Sequence, residues 1–254
     1  MIYFHTEEKL THMNSKHLQF IRRLVAAVLI IPILVIITGN KVKDANVSVK
    51  DYLNSNHPVN ANDLFESMQL ACTGISRDAF FKAWQGYYQL TQSNRDVKTG
   101  LITIIDFSQP SNKERLFVID INNRKLLFTS LVAHGRNSGL VYARSFSNKP
   151  ETYKSSLGFY KTLNTYEGEN GFSLRLEGLE KNINDKVYER SIVMHGADYV
   201  SKEIAKAKGY IGRSYGCPAI PHDIACDIIK TIQNGSLLFI YHPSKKYEKQ
   251  SSLI

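Results

Sequence analysis

Cysteine is scarce in this chain, and the way it is spaced excludes more than its number does. Among 254 residues there are three, at Cys72, Cys217 and Cys226, an odd count that leaves at least one thiol free or paired between molecules. No two of them are separated by two residues, so the usual mark of a thiol redox protein is missing. Paired Cys/His spacings of the zinc kind are absent as well, which argues against a metal site built on His134, His195 and Cys217. There is no internal repeat and no low-complexity tract. Clustered charge is also lacking: the net charge is +9, but the basic residues are interleaved with acids rather than grouped with aromatics, which argues against a nucleic-acid partner. An acidic polymer or an anionic surface suits that charge better. What is plentiful is apolar side chain, 43% of the sequence, enough for one substantial domain with appendages.

Long apolar runs are absent too, with one exception. Leu24–Thr38 is uninterrupted and follows Lys16, Arg22 and Arg23. As a helix it reaches roughly 22 Å, short of the roughly 30 Å hydrocarbon core, so it suits the apolar core of an export signal better than a comfortable span. No small-x-small cleavage triplet follows it, which leaves residues 1–40 as either an export signal or a retained anchor in the inner membrane. In both cases the positive flank places the N-terminus inside and the remainder outside. A buried core helix is the bland alternative.

Residues 41–62 are polar and contain His57-Pro58, a linker by composition. A helical hairpin is expected over 63–95. Leu64, Met68 and Ala71, then Phe80, Trp84, Tyr87 and Tyr88, recur at spacings of three or four, with Gly74 as a stop and Ser76 as an N-cap. The aromatic stripe reads as packing rather than as a sugar-binding face. From 96 to 243 the period becomes that of strands. Leu101–Phe107, Arg115–Ile121, Lys125–Ala133, Phe172–Leu179, Arg190–His195 and Ser236–Tyr241 are short, apolar and bounded by turn residues, with a hairpin turn at Asn122-Asn123. One late helix is expected near His222–Gln233, which predicts a mainly β fold, a mixed sheet or sandwich with a few helices. Residues 244–254 read as a polar tail. Cys72 and Cys226 fall on helices and read as small hydrophobes, their pairing in a disulfide being left open by spacing alone.

The chemistry concentrates in Gly212-Arg213-Ser214-Tyr215-Gly216-Cys217-Pro218-Ala219-Ile220-Pro221 and in Met194-His195-Gly196-Ala197. Two glycines and two prolines exclude a regular helix or central strand, so Cys217 sits on a loop where backbone N–H groups can converge on an oxygen. A thiol with an ordinary pKa of about 8.5 needs a base. His195 closes an apolar run that reads as a buried strand and is followed by Gly196, so a rigid element holds an imidazole toward that loop. Taken alone, His195 would be an ordinary strand-end histidine and Cys217 an ordinary buried thiol.

At these residues the sequence resembles the L,D-transpeptidase catalytic-domain family (YkuD-like), in the branch written H-G-A and G-R-S-x-G-C-P-A. The resemblance extends through Val132-Ala133-His134-Gly135, Ser138, Phe146-Ser147-Asn148, Ser155-Ser156-Leu157-Gly158-Phe159 and Arg190 to His195. It implies the mixed-sheet fold of that family over 96–243. It also implies acyl transfer on peptidoglycan stem peptides in the bacterial cell envelope, with no metal or organic cofactor, by a thiol open to carbapenem acylation. Cys217 would be the nucleophile, His195 the base and Gly196 the carbonyl that orients it. The backbone N–H groups of Tyr215, Gly216 and Cys217 would form the oxyanion hole. Pro218 and Ala219 stand where the commoner family pattern carries an arginine, so Arg213 becomes the expected carboxylate ligand. His134, Ser214 and Ser156 are further candidate substrate contacts, each with a structural alternative. A non-catalytic envelope protein that binds muropeptides on the same fold is the other function the sequence allows.

Overall fold

The computed structural model describes residues 60–93 and 95–254. The apolar run Leu24–Thr38 lies outside them. Among the described residues no helix is long and apolar enough to cross a membrane.

The first elements among the described residues are helix α1 (Ala61–Ser67), a 3₁₀ turn at Leu70–Thr73, and helix α2 (Arg77–Gln92). Ser76 caps α2, its side chain accepting the Ala79 N–H, with Asp78 in the first turn where a helix favours negative charge. The spacing of three and four buries Phe80, Trp84, Tyr87 and Leu90 on one face. Gly86 is required within that face, because a Cβ there would lie 2.1 Å from the Phe159 ring. The aromatic stripe therefore packs against the main domain, as its periodicity predicts.

Among the described residues eight strands form one mixed sheet: β1 (Leu101–Asp106), β2 (Leu116–Asp120), β3 (Lys125–Ser130), β4 (Gly158–Gly168), β5 (Gly171–Gly178), β6 (Val193–Gly196), β7 (Ala219–Ile220) and β8 (Leu237–Tyr241). Their order is β3-β2-β1-β8-β4-β5-β6-β7. Two pairs are parallel, β1 with β8 and β6 with β7. Strands β1 and β8 are buried along their whole length, as central strands with short apolar sequences should be. The fold is mainly β with a few helices, as the sequence predicts. Helix α4 (His222–Ile232) buries Ala225, Ile228, Ile229 and Ile232. It packs behind β6, the strand that carries His195.

Strand β4 was hidden by Lys161, Asn164 and Glu167 in its sequence, although it is the longest in the sheet. Helix α3 (Lys202–Lys208) was also missed. Residues 244–254 are not a loose polar tail: helix α5 (Lys245–Gln250) buries Tyr247, whose hydroxyl donates to the buried Glu180 carboxylate at 2.9 Å. Cys72 and Cys226 are exposed, not packed, and all three thiols are free.

Candidate active site

The site lies at the sheet edge formed by β6 and β7. His195 is in register with Ala219 on β7 and with Ser173 on β5. Continuing the β6–β7 ladder two residues back brings Val193 opposite Cys217, and there the backbone N–H of Val193 donates to the Cys217 sulfur at 3.5 Å. The thiol is also 3.9 Å from the Ser191 carbonyl. The thiol thus lies against the chain segment that leads into His195, two residues before it.

Cys217 is held by a loop with little freedom. Ser214 Oγ donates to the Cys217 carbonyl at 2.6 Å and accepts the Gly216 N–H at 3.1 Å. Ser214 N–H donates to the His134 carbonyl, and Arg136 N–H to the Ser214 carbonyl, docking the loop on the segment after Val132. Ser155 Oγ clamps both sides, donating to the Gly216 carbonyl and accepting the Gly135 N–H. Gly216 has φ of +133° and a Cβ there would meet Ile192 Cδ1 at 2.8 Å, so only glycine fits.

His195 is 5% exposed. Its Nδ1 lies 2.8 Å from the Gly196 carbonyl. A carbonyl can only accept, so Nδ1 carries the proton and Nε2 is left with its lone pair. Burial lowers the His195 pKa, partly offset by that carbonyl. Burial raises the Cys217 pKa, against the pull of the Val193 N–H and of the Arg190 charge. Both shifts favour the neutral forms, so at neutral pH the resting pair is thiol and imidazole.

The candidate residues separate clearly in space. The N–H groups of Tyr215 and Cys217 donate to no acceptor among the described residues, whereas that of Gly216 is occupied by Ser214. Gly216 is therefore removed from the expected set of oxyanion donors. His134 is fully buried, its Nδ1 2.8 Å from Arg115 Nη2 and its Nε2 3.2 Å from the Gly139 carbonyl. With both nitrogens engaged it contacts no substrate. Ser156 is buried as well, donating to the Ser147 carbonyl and accepting from Arg190. Ser214 is likewise absorbed in the turn. Arg213 is exposed, with Nη1 3.2 Å from the Arg136 carbonyl and 3.3 Å from that of Gly139.

Two further residues stand near the thiol: Arg190, which the sequence offers as the alternative cation to Arg213, and Tyr199, which it did not single out. Arg190 is fixed by the carbonyls of Ser147 and Lys154 and by Ser156 Oγ, and its charge reaches Cys217. Tyr199 packs on Gly212 and is close enough to be affected by charge on Cys217; burial first and that charge second push its pKa up to about 12. Its place just after the His195 strand was the only signal in the sequence.

The family model for the L,D-transpeptidase catalytic domain matches residues 72–241. The chain belongs to that family. Among solved structures the chain is similar to an L,D-transpeptidase from Mycobacterium smegmatis, at 12% identity over 56% of this chain and 59% of that one, with a TM-score of 0.35. It is similar to the L,D-transpeptidase (Yku) from Stackebrandtia nassauensis, at 14% identity over 73% of this chain and 77% of that one, TM-score 0.34. It is also similar to the helical cell shape determining protein Pgp2 from Campylobacter jejuni, at 14% identity over 65% and 55%, TM-score 0.38. The chain spans less than two-thirds of the length of the mycobacterial and Campylobacter proteins. No curated protein matches it significantly.

Proposed function

We propose that the chain catalyses acyl transfer on peptidoglycan stem peptides in the bacterial cell envelope, with Cys217 as nucleophile and His195 as general base. The observation that carries this is the Nδ1 contact to the Gly196 carbonyl, which fixes the tautomer with a basic Nε2 on the strand whose Val193 N–H holds the thiol. Because the resting pair is neutral, the proton moves as the bond forms. Sγ attacks the donor carbonyl while Nε2 takes the thiol proton, giving a tetrahedral oxyanion and an imidazolium. The unspent N–H groups of Tyr215 and Cys217 stabilise that oxyanion. Its collapse expels the amine, which takes the proton back from Nε2 and leaves a thioester on Cys217. An acceptor amine completes an L,D-transpeptidase cycle, and water completes an L,D-carboxypeptidase one. The burial of the imidazolium is offset by its Nδ1 contact to the Gly196 carbonyl.

A second reading rests on one observation, the raised thiol pKa: a non-catalytic muropeptide-binding protein would also keep its thiol protonated. Incubating the purified protein with a tetrapeptide muropeptide and following it by mass spectrometry separates the two. Loss of the terminal residue, or a cross-linked product when an acceptor is added, supports catalysis. Tight binding with the donor unchanged supports the alternative.

A further inference from the structure

A pocket walled in part by Ser191 and Val193, the residues that touch the thiol, holds a cation that suits a carboxylate and that the sequence did not suggest. Opposed residues of an antiparallel pair share a face of the sheet. Ser173 opposes His195 and Arg175 opposes Val193 across β5 and β6, and Tyr166 opposes Ser173 across β4 and β5. The side chains of His195, Arg175 and Tyr166 are therefore on one face. The alternate residues Leu174 and Met194 oppose one another on the other face and are fully buried in the core.

On the His195 face is a pocket of about 220 Å³ whose walls include Tyr166, Arg175, the exposed Tyr188, Ser191 and Val193. Two of these, Ser191 and Val193, are the residues that touch the Cys217 sulfur. The Arg175 guanidinium lies 4.0 Å from the centre of the Tyr166 ring. Among the described residues it donates no hydrogen bond and forms no ion pair, and it is half-buried. Stacking fixes the plane of the fork while leaving its N–H groups unspent, the arrangement that suits a bidentate carboxylate. The pocket is too small for a disaccharide and of the size of one amino-acid residue.

The other cations near the loop are differently disposed. Arg190 is consumed by Ser147, Ser156 and Lys154. Arg213 reaches toward Gly139. Arg136 is stacked between Tyr153 and Tyr215, 4.2 Å and 4.7 Å from their ring centres.

We infer that Arg175, oriented by Tyr166, binds the terminal carboxylate of the donor stem peptide in this pocket and so sets the preference for a free acid at the end of the donor. The inference rests on the acyl-transfer function proposed above. Its test crosses substrate with residue. The full chain is given a tetrapeptide donor with a free C-terminal carboxylate, or the same peptide with a C-terminal carboxamide, and kcat/KM is measured for wild type, Arg175→Ala, Arg175→Gln and Arg175→Lys.

Wild type is expected to prefer the acid roughly tenfold to hundredfold, the effect of one charge-assisted contact. Arg175→Ala and Arg175→Gln should lose that preference through KM while handling the amide as wild type does, and Arg175→Lys should recover part of it. Alkylation of Cys217 by iodoacetamide at the wild-type rate shows that the site is intact in each variant. Wild type indifferent to the carboxamide, a preference that survives in Arg175→Gln, or one abolished by Arg136→Ala or Arg213→Ala instead, overturns the assignment of Arg175. Wild type inert to both peptides contradicts the acyl-transfer function itself.

Discussion

His134 and His195 look alike in the sequence. Each ends an apolar run and each is followed by glycine, and the loop carrying Cys217 runs against both segments, bridging to Gly135 and pairing through β7 with β6. In the structure they differ by one bond. Nδ1 of His134 accepts from the buried Arg115 and its Nε2 donates to the Gly139 carbonyl, whereas His195 spends only Nδ1, on its own neighbour Gly196. A histidine whose two nitrogens are both satisfied can serve only as a strut, whereas one that keeps a free lone pair is able to take a proton, the role proposed for His195. The residue that separates them is Arg115 at the start of β2, distant in sequence from either histidine, so no local pattern could have distinguished the pair.

The widest separation should appear in catalysis. Cys217→Ala should lower turnover of a tetrapeptide donor by roughly 10⁴-fold or more, and His195→Ala by roughly 10²- to 10⁴-fold, both with unchanged melting temperature. His134→Ala should do the reverse. It strands the buried Arg115 guanidinium and should cost about 3 kcal/mol in denaturant unfolding, with activity per folded molecule close to wild type. Equal losses of activity from His134→Ala and His195→Ala would break the comparison.

Acid should widen the contrast in stability. Burial, with Arg115 next, pushes the His134 pKa down to about 3, against an ordinary value near 6.5 in the unfolded chain. Between those values the unfolded state binds the proton and the folded state does not, so stability is whole above about pH 6.5 and is lost as pH falls. The loss approaches about 1.4 kcal/mol per pH unit from this group. Unfolding titrations from pH 7 to pH 4 should show it, and His134→Gln should flatten the slope. A slope unchanged in that variant would remove His134 from the acid response.

The smallest effect concerns the cation that touches neither histidine. Arg190→Ala removes a charge that lowers the Cys217 pKa, so the pH profile of iodoacetamide alkylation should move to the alkaline side and the rate at pH 7 fall by a few-fold to about tenfold. A profile that stays in place would leave Arg190 only its structural bonds.

What could be read from the sequence follows the range of the interactions involved. The Ser76 cap, the buried face of α2, the apolar strands and the loop around Cys217 are set by neighbours in the chain, and they appear where expected. Strand β4 escaped because its outer half carries Asn164, Thr165 and Glu167 at a partly solvated edge, and α5 escaped because its docking depends on Glu180, far away in sequence. At the site, the same limit applies to hydrogen-bond partners. That Ser214 takes the Gly216 N–H, that Ser156 serves Arg190, and that Arg175 shares the sheet face of His195 are all consequences of register and turn geometry. The resemblance pointed to Cys217 and His195, which the structure places against β6 and on it, respectively, but which donors remain unspent is decided by folding.

Whether acyl transfer proceeds from the Cys217 thiol is decided by a mechanism-based acylating agent. After incubation of the protein with a carbapenem at neutral pH, intact mass should show one added drug molecule, and peptide mapping should place it on Cys217. Cys217→Ala should show none, even though Cys72 and Cys226 are the more exposed thiols. No adduct on wild type, or one residing on Cys72 or Cys226, would rule out Cys217 as the acyl-transfer nucleophile.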